Sequence, residues 1–171
     1  MDEVLSLYDR EFSRFVDREV FERTQALKAQ VEASNNPGRI VNKIGVLYAK
    51  YGLYDKAALE FRAAANEGYV PAMVNLGNIF YIQDNIMMAI EYYERARESE
   101  PDSVPVLAGL AKAYHEMEEI ERVQTIYDRI VELSVDAAES LAYLDARSDT
   151  GSRASDTAER KYSTIMWDEE E

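Results

Sequence analysis

The chain has 171 residues, 47% of them hydrophobic, and carries 19 basic against 33 acidic side chains for a formal charge of -14. That length suits one domain's worth of buried core, and the negative balance argues against nucleic acid or an anionic membrane as partner. With no cysteine and one histidine, disulfides, thiolate nucleophiles and histidine-rich metal centres are excluded.

Residues 1–36 are expected to form an N-terminal helical cap. From Asp2 to Ala33 there is no glycine or proline, and Leu5, Tyr8, Phe12, Phe15, Val16, Val20, Leu27 and Val31 fall mostly at helical intervals. Such a helix can cover the open edge of the segment that follows. It can also self-associate, because Leu5-Tyr8-Phe12-Phe15 reads as a short heptad seam. The opening MDEVLSLYDREF has neither the basic region nor the apolar run of a signal peptide, and no later run is long enough to cross a membrane. A cytoplasmic protein without membrane insertion is the plain expectation; a targeting segment outside this sequence would not show. Asn35-Asn36-Pro37-Gly38 then breaks the helix and starts the next.

Residues 37–147 repeat one pattern three times. Its clearest copy is two helices, Met73 to Ile82 and Met87 to Glu98, joined by a polar turn at Asp84-Asn85. A small residue (Gly45, Gly77, Ala111) is followed three later by an aromatic (Tyr48, Phe80, Tyr114). Nine further on comes a small or β-branched residue (Ala57, Ala89, Val123), then an aromatic (Phe61, Tyr93, Tyr127), then an apolar residue (Ala64, Ala96, Ile130). Gly45 and Gly77 are 32 residues apart and Gly77 and Ala111 are 34 apart; helix-turn-helix units at that period mark a solenoid. Gly45 and Gly77 are expected at close helix crossings, faced by Ala57 and Ala89, with Tyr48 and Phe80 filling the groove beside them. Val123 and Ile130 replace alanines in the third copy, which predicts a wider helix spacing there.

Turns are expected around Gly52, at Gln83-Asp84-Asn85 and at Met117-Glu118-Glu119. Pro101-Asp102-Ser103 should end the second repeat and cap the helix that carries Leu107 and Leu110. Asp136 and Glu139 read as a capping pair for a closing helix with Leu141 and Leu144.

The registered copies resemble the tetratricopeptide repeat family, over roughly residues 38–144, and AANEGYVPAMVNLG at the exit of the first copy resembles the related Sel1-like repeat. The resemblance implies an all-α fold, a right-handed superhelical solenoid of antiparallel helix pairs, and a non-catalytic scaffold or adaptor that binds a peptide segment on its concave face. Ligands in that family lie along the first helix of each repeat. Counting one helical face from each small residue places Arg39, Asn42, Val46 and Ala49 there in the first copy, Val74, Asn78 and Tyr81 in the second, and Ala108, Lys112 and His115 in the third. Asn75 and Lys50 fall near the margin. The asparagines can pair with a peptide backbone, Arg39 and Lys112 can meet carboxylates, and Tyr81 can stack on an apolar anchor; the bland reading is a solvated polar surface. Some members of the family clamp a free carboxyl terminus. Asn75 and Lys112 match part of that set, whereas Val46 and Gly109 stand where polar residues are required.

Beyond Arg147, residues 148–171 hold seven acidic and three basic side chains and read as an acidic tail. Its end sets the only tryptophan, Trp167, beside Asp168, Glu169, Glu170 and Glu171, which is the composition of a short linear motif for a groove on this or a neighbouring chain. Tail or N-terminal helix gives the competing reading, a self-associating structural module. No enzyme and no cofactor are expected: His115 is alone, Glu116, Glu118, Glu119 and Glu121 read as a solvated turn, and no phosphate-binding glycine loop or Gly-x-Ser-x-Gly is present.

Overall fold

The computed structural model describes residues 18–147 and Trp167, and the chain divides into two units, Met1–Gly68 and Tyr69–Glu171. The described residues form helices and turns, without strands. Residues 1–17 of the expected N-terminal cap, and the tail residues other than Trp167, lie outside the described part.

In the first unit, helix α1 covers 18–31, α2 Pro37–Lys50 and α3 Tyr54–Asn66. The Asn36 side chain accepts from the Arg39 backbone N–H at 3.1 Å, and Pro37 follows at the first helical position, where its missing N–H costs nothing. Ile44 and Phe61 bury fully between α2 and α3. On α1, Val20 and Thr24 are buried, and Lys28 approaches Glu60 of α3 at 3.9 Å. Both partners of that pair keep water contact, so the apolar contacts matter more.

In the second unit, α4 (Val70–Ile82) pairs with α5 (Ile86–Ser99), and α6 (Val104–Glu116) pairs with α7 (Ile120–Leu133). The hairpins stack through α5 on α6 and α4 on α6. The expected start of α4 at Met73 is three residues late: Pro71 lies in its first turn, where proline is tolerated. After α7 come a short helix α8, Val135–Ser140, and a 3-10 turn, Ala142–Leu144, which pack on α6 and α7. Ser134, rather than Asp136, caps α8 by accepting from Ala137 N–H at 3.3 Å. Leu141 and Leu144 bury just past that helix, not within it. Ser103 precedes α6 but makes no side-chain cap.

The atoms nearest to the crossing glycines belong to aromatic rings. A Cβ on Gly45 would stand 2.5 Å from the Phe61 ring and one on Gly77 2.5 Å from Tyr93. Tyr93 has a second glycine against it, since a Cβ on Gly109 of α6 would lie 2.6 Å from the same ring. Tyr93 therefore fills a slot between α4 and α6 that only two hydrogen side chains leave open. In the third copy Ala111 replaces glycine, and Tyr127 turns instead to α8, donating to Ala138 O at 3.2 Å.

Of the earlier aromatics of the copies, Tyr48 and Phe80 are half-buried and Tyr114 is buried, each beside a second-helix side chain. Lys56 stands 5.8 Å over Tyr48, Tyr92 stacks 5.4 Å from Phe80, and Arg122 stands 5.0 Å over Tyr114. The three hairpin turns share one geometry, with backbone bonds from Leu53 to Tyr48, Asn85 to Phe80 and Glu119 to Tyr114 at 2.9 to 3.0 Å. Each places one left-handed residue before the donor: Gly52, Asp84 and Glu118 at φ of 72°, 65° and 58°.

Candidate functional site

The sequence-derived face falls on α2 in the first unit and on α4 and α6 in the second. On α2, Asn42 and Val46 expose 1% and 3% of their surface and Arg39 is half-buried. A helix turn separates each from the next, so they share one face.

On α4, Asn75, Asn78 and Tyr81 are buried, with Asn75 fully so. The Asn78 Oδ1 accepts from the Tyr93 hydroxyl at 2.7 Å, so this amide braces the ring in the glycine slot. Burial keeps the Tyr93 hydroxyl protonated well above the usual tyrosine range. Tyr81 donates to Glu116 Oε1 of α6 at 2.9 Å. Burial first, and the Glu116 carboxylate next, push the Tyr81 pKa far upward. Glu116 is thus the half-buried end of α6 and a tyrosine partner, which corrects its reading as part of a solvated turn.

Lys112 precedes Glu116 by one helical turn and is half-buried. Desolvation lowers its pKa from 10.5 to about 8, leaving it still mostly cationic at neutral pH. His115 is buried, and its ring meets Tyr143 edge-on at 6.0 Å under the C-terminal turn. The Tyr81 to Glu116 bond ties the C-terminal end of α4 to that of α6, the helices that carry Asn78 and Lys112.

The side chains that contact the candidate residues, Tyr93 at Asn78, Glu116 at Tyr81 and Tyr143 at His115, were not among the positions singled out from the sequence. Gly109 carried the available signal, since Gly45, Gly77 and Gly109 recur every 32 residues. In the tail, Trp167 is half-buried, whereas Asp168 and Glu169 lie outside the described residues. Among the described residues no group of three or more His, Asp or Glu side chains is placed to hold a metal ion, and no helix is long and apolar enough to cross a membrane.

Stacked helical hairpins with their first helices side by side define an α-solenoid of short repeats. Tetratricopeptide repeat models match residues 70–103 and 88–147, so this stretch of the second unit carries tetratricopeptide repeats. It is 25% identical over 121 residues to the uncharacterized protein ycf37 of Guillardia theta, covering 67% of this chain and 68% of that one. It is 24% identical over 101 residues to Tetratricopeptide repeat protein 8 of Mus musculus, covering 58% of this chain and 20% of that one. The solved structure of MamA residues 41 to the end, from Desulfovibrio magneticus RS-1, matches with a TM-score of 0.60 over 90% of this chain and 91% of that one. At 18% identity that likeness is one of fold. The repeats make the chain a protein-interaction scaffold in general character, of a fold that is typically non-catalytic.

Proposed function

We propose that the chain is a non-catalytic adaptor that binds an extended or helical peptide segment of a protein partner, with the α4–α6 face of the second unit as its main recognition surface. The observation that supports this is Lys112, a partly dehydrated cation held one helical turn from the Tyr81–Glu116 bond in a chain of charge -14. A cation whose water has been stripped away gains more from a carboxylate than an exposed one does. The preferred partner segment is acidic. Arg39 and Asn42 offer the same kind of chemistry in the first unit, and the reading assigns them a secondary share. Nucleic acid and membrane insertion are not part of it, and the protein works without a cofactor.

The decisive variant is Lys112→Gln. Replacing Asn78 as well would confuse the result, because its Oδ1 holds the Tyr93 hydroxyl in the core. Fluorescently labelled acidic peptides should bind wild type and lose about tenfold in affinity to Lys112→Gln, the scale of one charge-assisted hydrogen bond. Equal binding by both proteins, with equal helical circular dichroism, sinks the assignment to this face. The self-associating alternative draws on the heptad-like run Leu5-Tyr8-Phe12-Phe15, and light scattering separates it: a mass that rises with concentration supports it.

A further inference from the structure

The peptide-binding reading leaves the single tryptophan unexplained. Trp167 follows Arg147 by twenty residues, yet it is half-buried and belongs to the second unit, Tyr69–Glu171. Half-burial of an indole means that its large apolar surface rests against something. Four carboxylates, Asp168 to Glu171, follow it directly. The second unit offers the complement in Lys112, whose ammonium has lost hydration to burial.

Reach is no obstacle. Arg147 is tied to α7 by its 2.6 Å contact with Asp128. Twenty further residues span at most about 70 Å, whereas α6, with 13 residues, is about 20 Å long. Tethering also raises the effective concentration of the segment to the order of millimolar, so weak contacts suffice to keep it in place.

Resting on the reading of the α4–α6 face as a peptide site, we propose that Trp167 and the acidic residues after it dock there in cis, the indole as anchor and the carboxylates toward Lys112. An outside peptide must displace them. The face is then self-occupied until a partner with the same chemistry, an aromatic anchor followed by acidic residues, outcompetes the tail. Selectivity follows, because a segment lacking either feature cannot overcome the tethered competitor.

The test uses the full-length chain and its one indole as reporter. In wild type, Trp167 emission should be blue-shifted and poorly quenched by acrylamide, independent of protein concentration. Raising sodium chloride, which screens the carboxylate attraction, should shift emission to the red and increase quenching; this readout needs no variant. Lys112→Glu should produce the same shift at low salt. A labelled synthetic peptide of residues 162–171 should bind full-length Trp167→Ala more tightly than wild type, by roughly tenfold if the tether acts as above.

If the peptide binds both proteins equally and Lys112→Glu abolishes both, the face takes acidic peptides but the tail is not its occupant, and the inference alone is overturned. If emission and quenching change with protein concentration, the contact joins two copies and the cis arrangement is wrong. If the peptide binds none of the proteins, the peptide-site reading falls and takes the inference with it.

Discussion

Glu118 occupies a backbone conformation that its side chain disfavours. At φ of 58° it matches Gly52 of the first turn at 72°, and a non-glycine residue there costs about 1 kcal/mol. Glu118→Gly is therefore expected to raise the midpoint of urea unfolding by about 1 kcal/mol equivalent, and Gly52→Ala to lower it by a similar amount. The glycines of the Tyr93 slot respond for a different reason. A methyl on Gly77 or Gly109 would stand 2.5 or 2.6 Å from the ring, so each alanine variant should lose about 1–3 kcal/mol through overpacking. Tyr93→Phe keeps the ring but removes its bond to Asn78 Oδ1, and a loss of about 1 kcal/mol in the same assay is expected.

Titration provides another test at this scale. Lys112 holds its proton less tightly when folded, with a pKa of about 8 against 10.5 ordinarily. Between those values the unfolded chain binds more protons, so stability should rise with pH. Tyr81 and Tyr93 act in the opposite sense, since burial keeps them protonated in the fold. Above about pH 10 they ionise only in the unfolded chain, and stability should fall. Denaturant midpoints across that range should trace the rise and the fall, and Lys112→Met should lack the rise.

At the level of helices and turns, periodicity carried far. The five-point pattern located α2 through α7 because close helix crossings demand small residues and the grooves beside them demand rings. What it could not show was which ring meets which glycine. Ala57 and Ala89 are both fully buried, yet the glycines are filled from four residues further on, by Phe61 and Tyr93. Spacing gives a face, whereas the direction of the Cα–Cβ bond and the length of the side chain decide the contact. The cap of α8 was misread for a related reason: Asp136 and Glu139 have capping-box spacing, but Ser134 begins the helix two residues earlier. Ser134→Ala should cost about 1 kcal/mol in thermal or urea unfolding, while Ser103→Ala, with no cap bond to lose, should be near neutral.

For the whole molecule, the sum of charges and the placement of its cations matter together. A balance of -14 repels polyanions over long range but is screened within about 10 Å at ordinary salt, so a single half-buried lysine can still define an acidic-peptide site. The protein is expected to pass through a heparin or DNA column at low salt, and retention there would contradict that view. The candidate face was drawn from the sequence as a set of helix positions. Its burial was not legible there, because Tyr93 and Tyr143 reach Asn78 and His115 from other elements and Glu116 of α6 is bonded by Tyr81 of α4.

The Tyr93 side chain has one further consequence. Its ring wedges two hairpins apart by a fixed amount, and its oxygen steadies an amide on the proposed recognition surface. Spacing of the stack and chemistry of the surface are therefore written at a single position. An engineer who lengthens this array by copying residues 69–101 would transplant both at once, provided the unit that follows supplies a glycine in the place of Gly109.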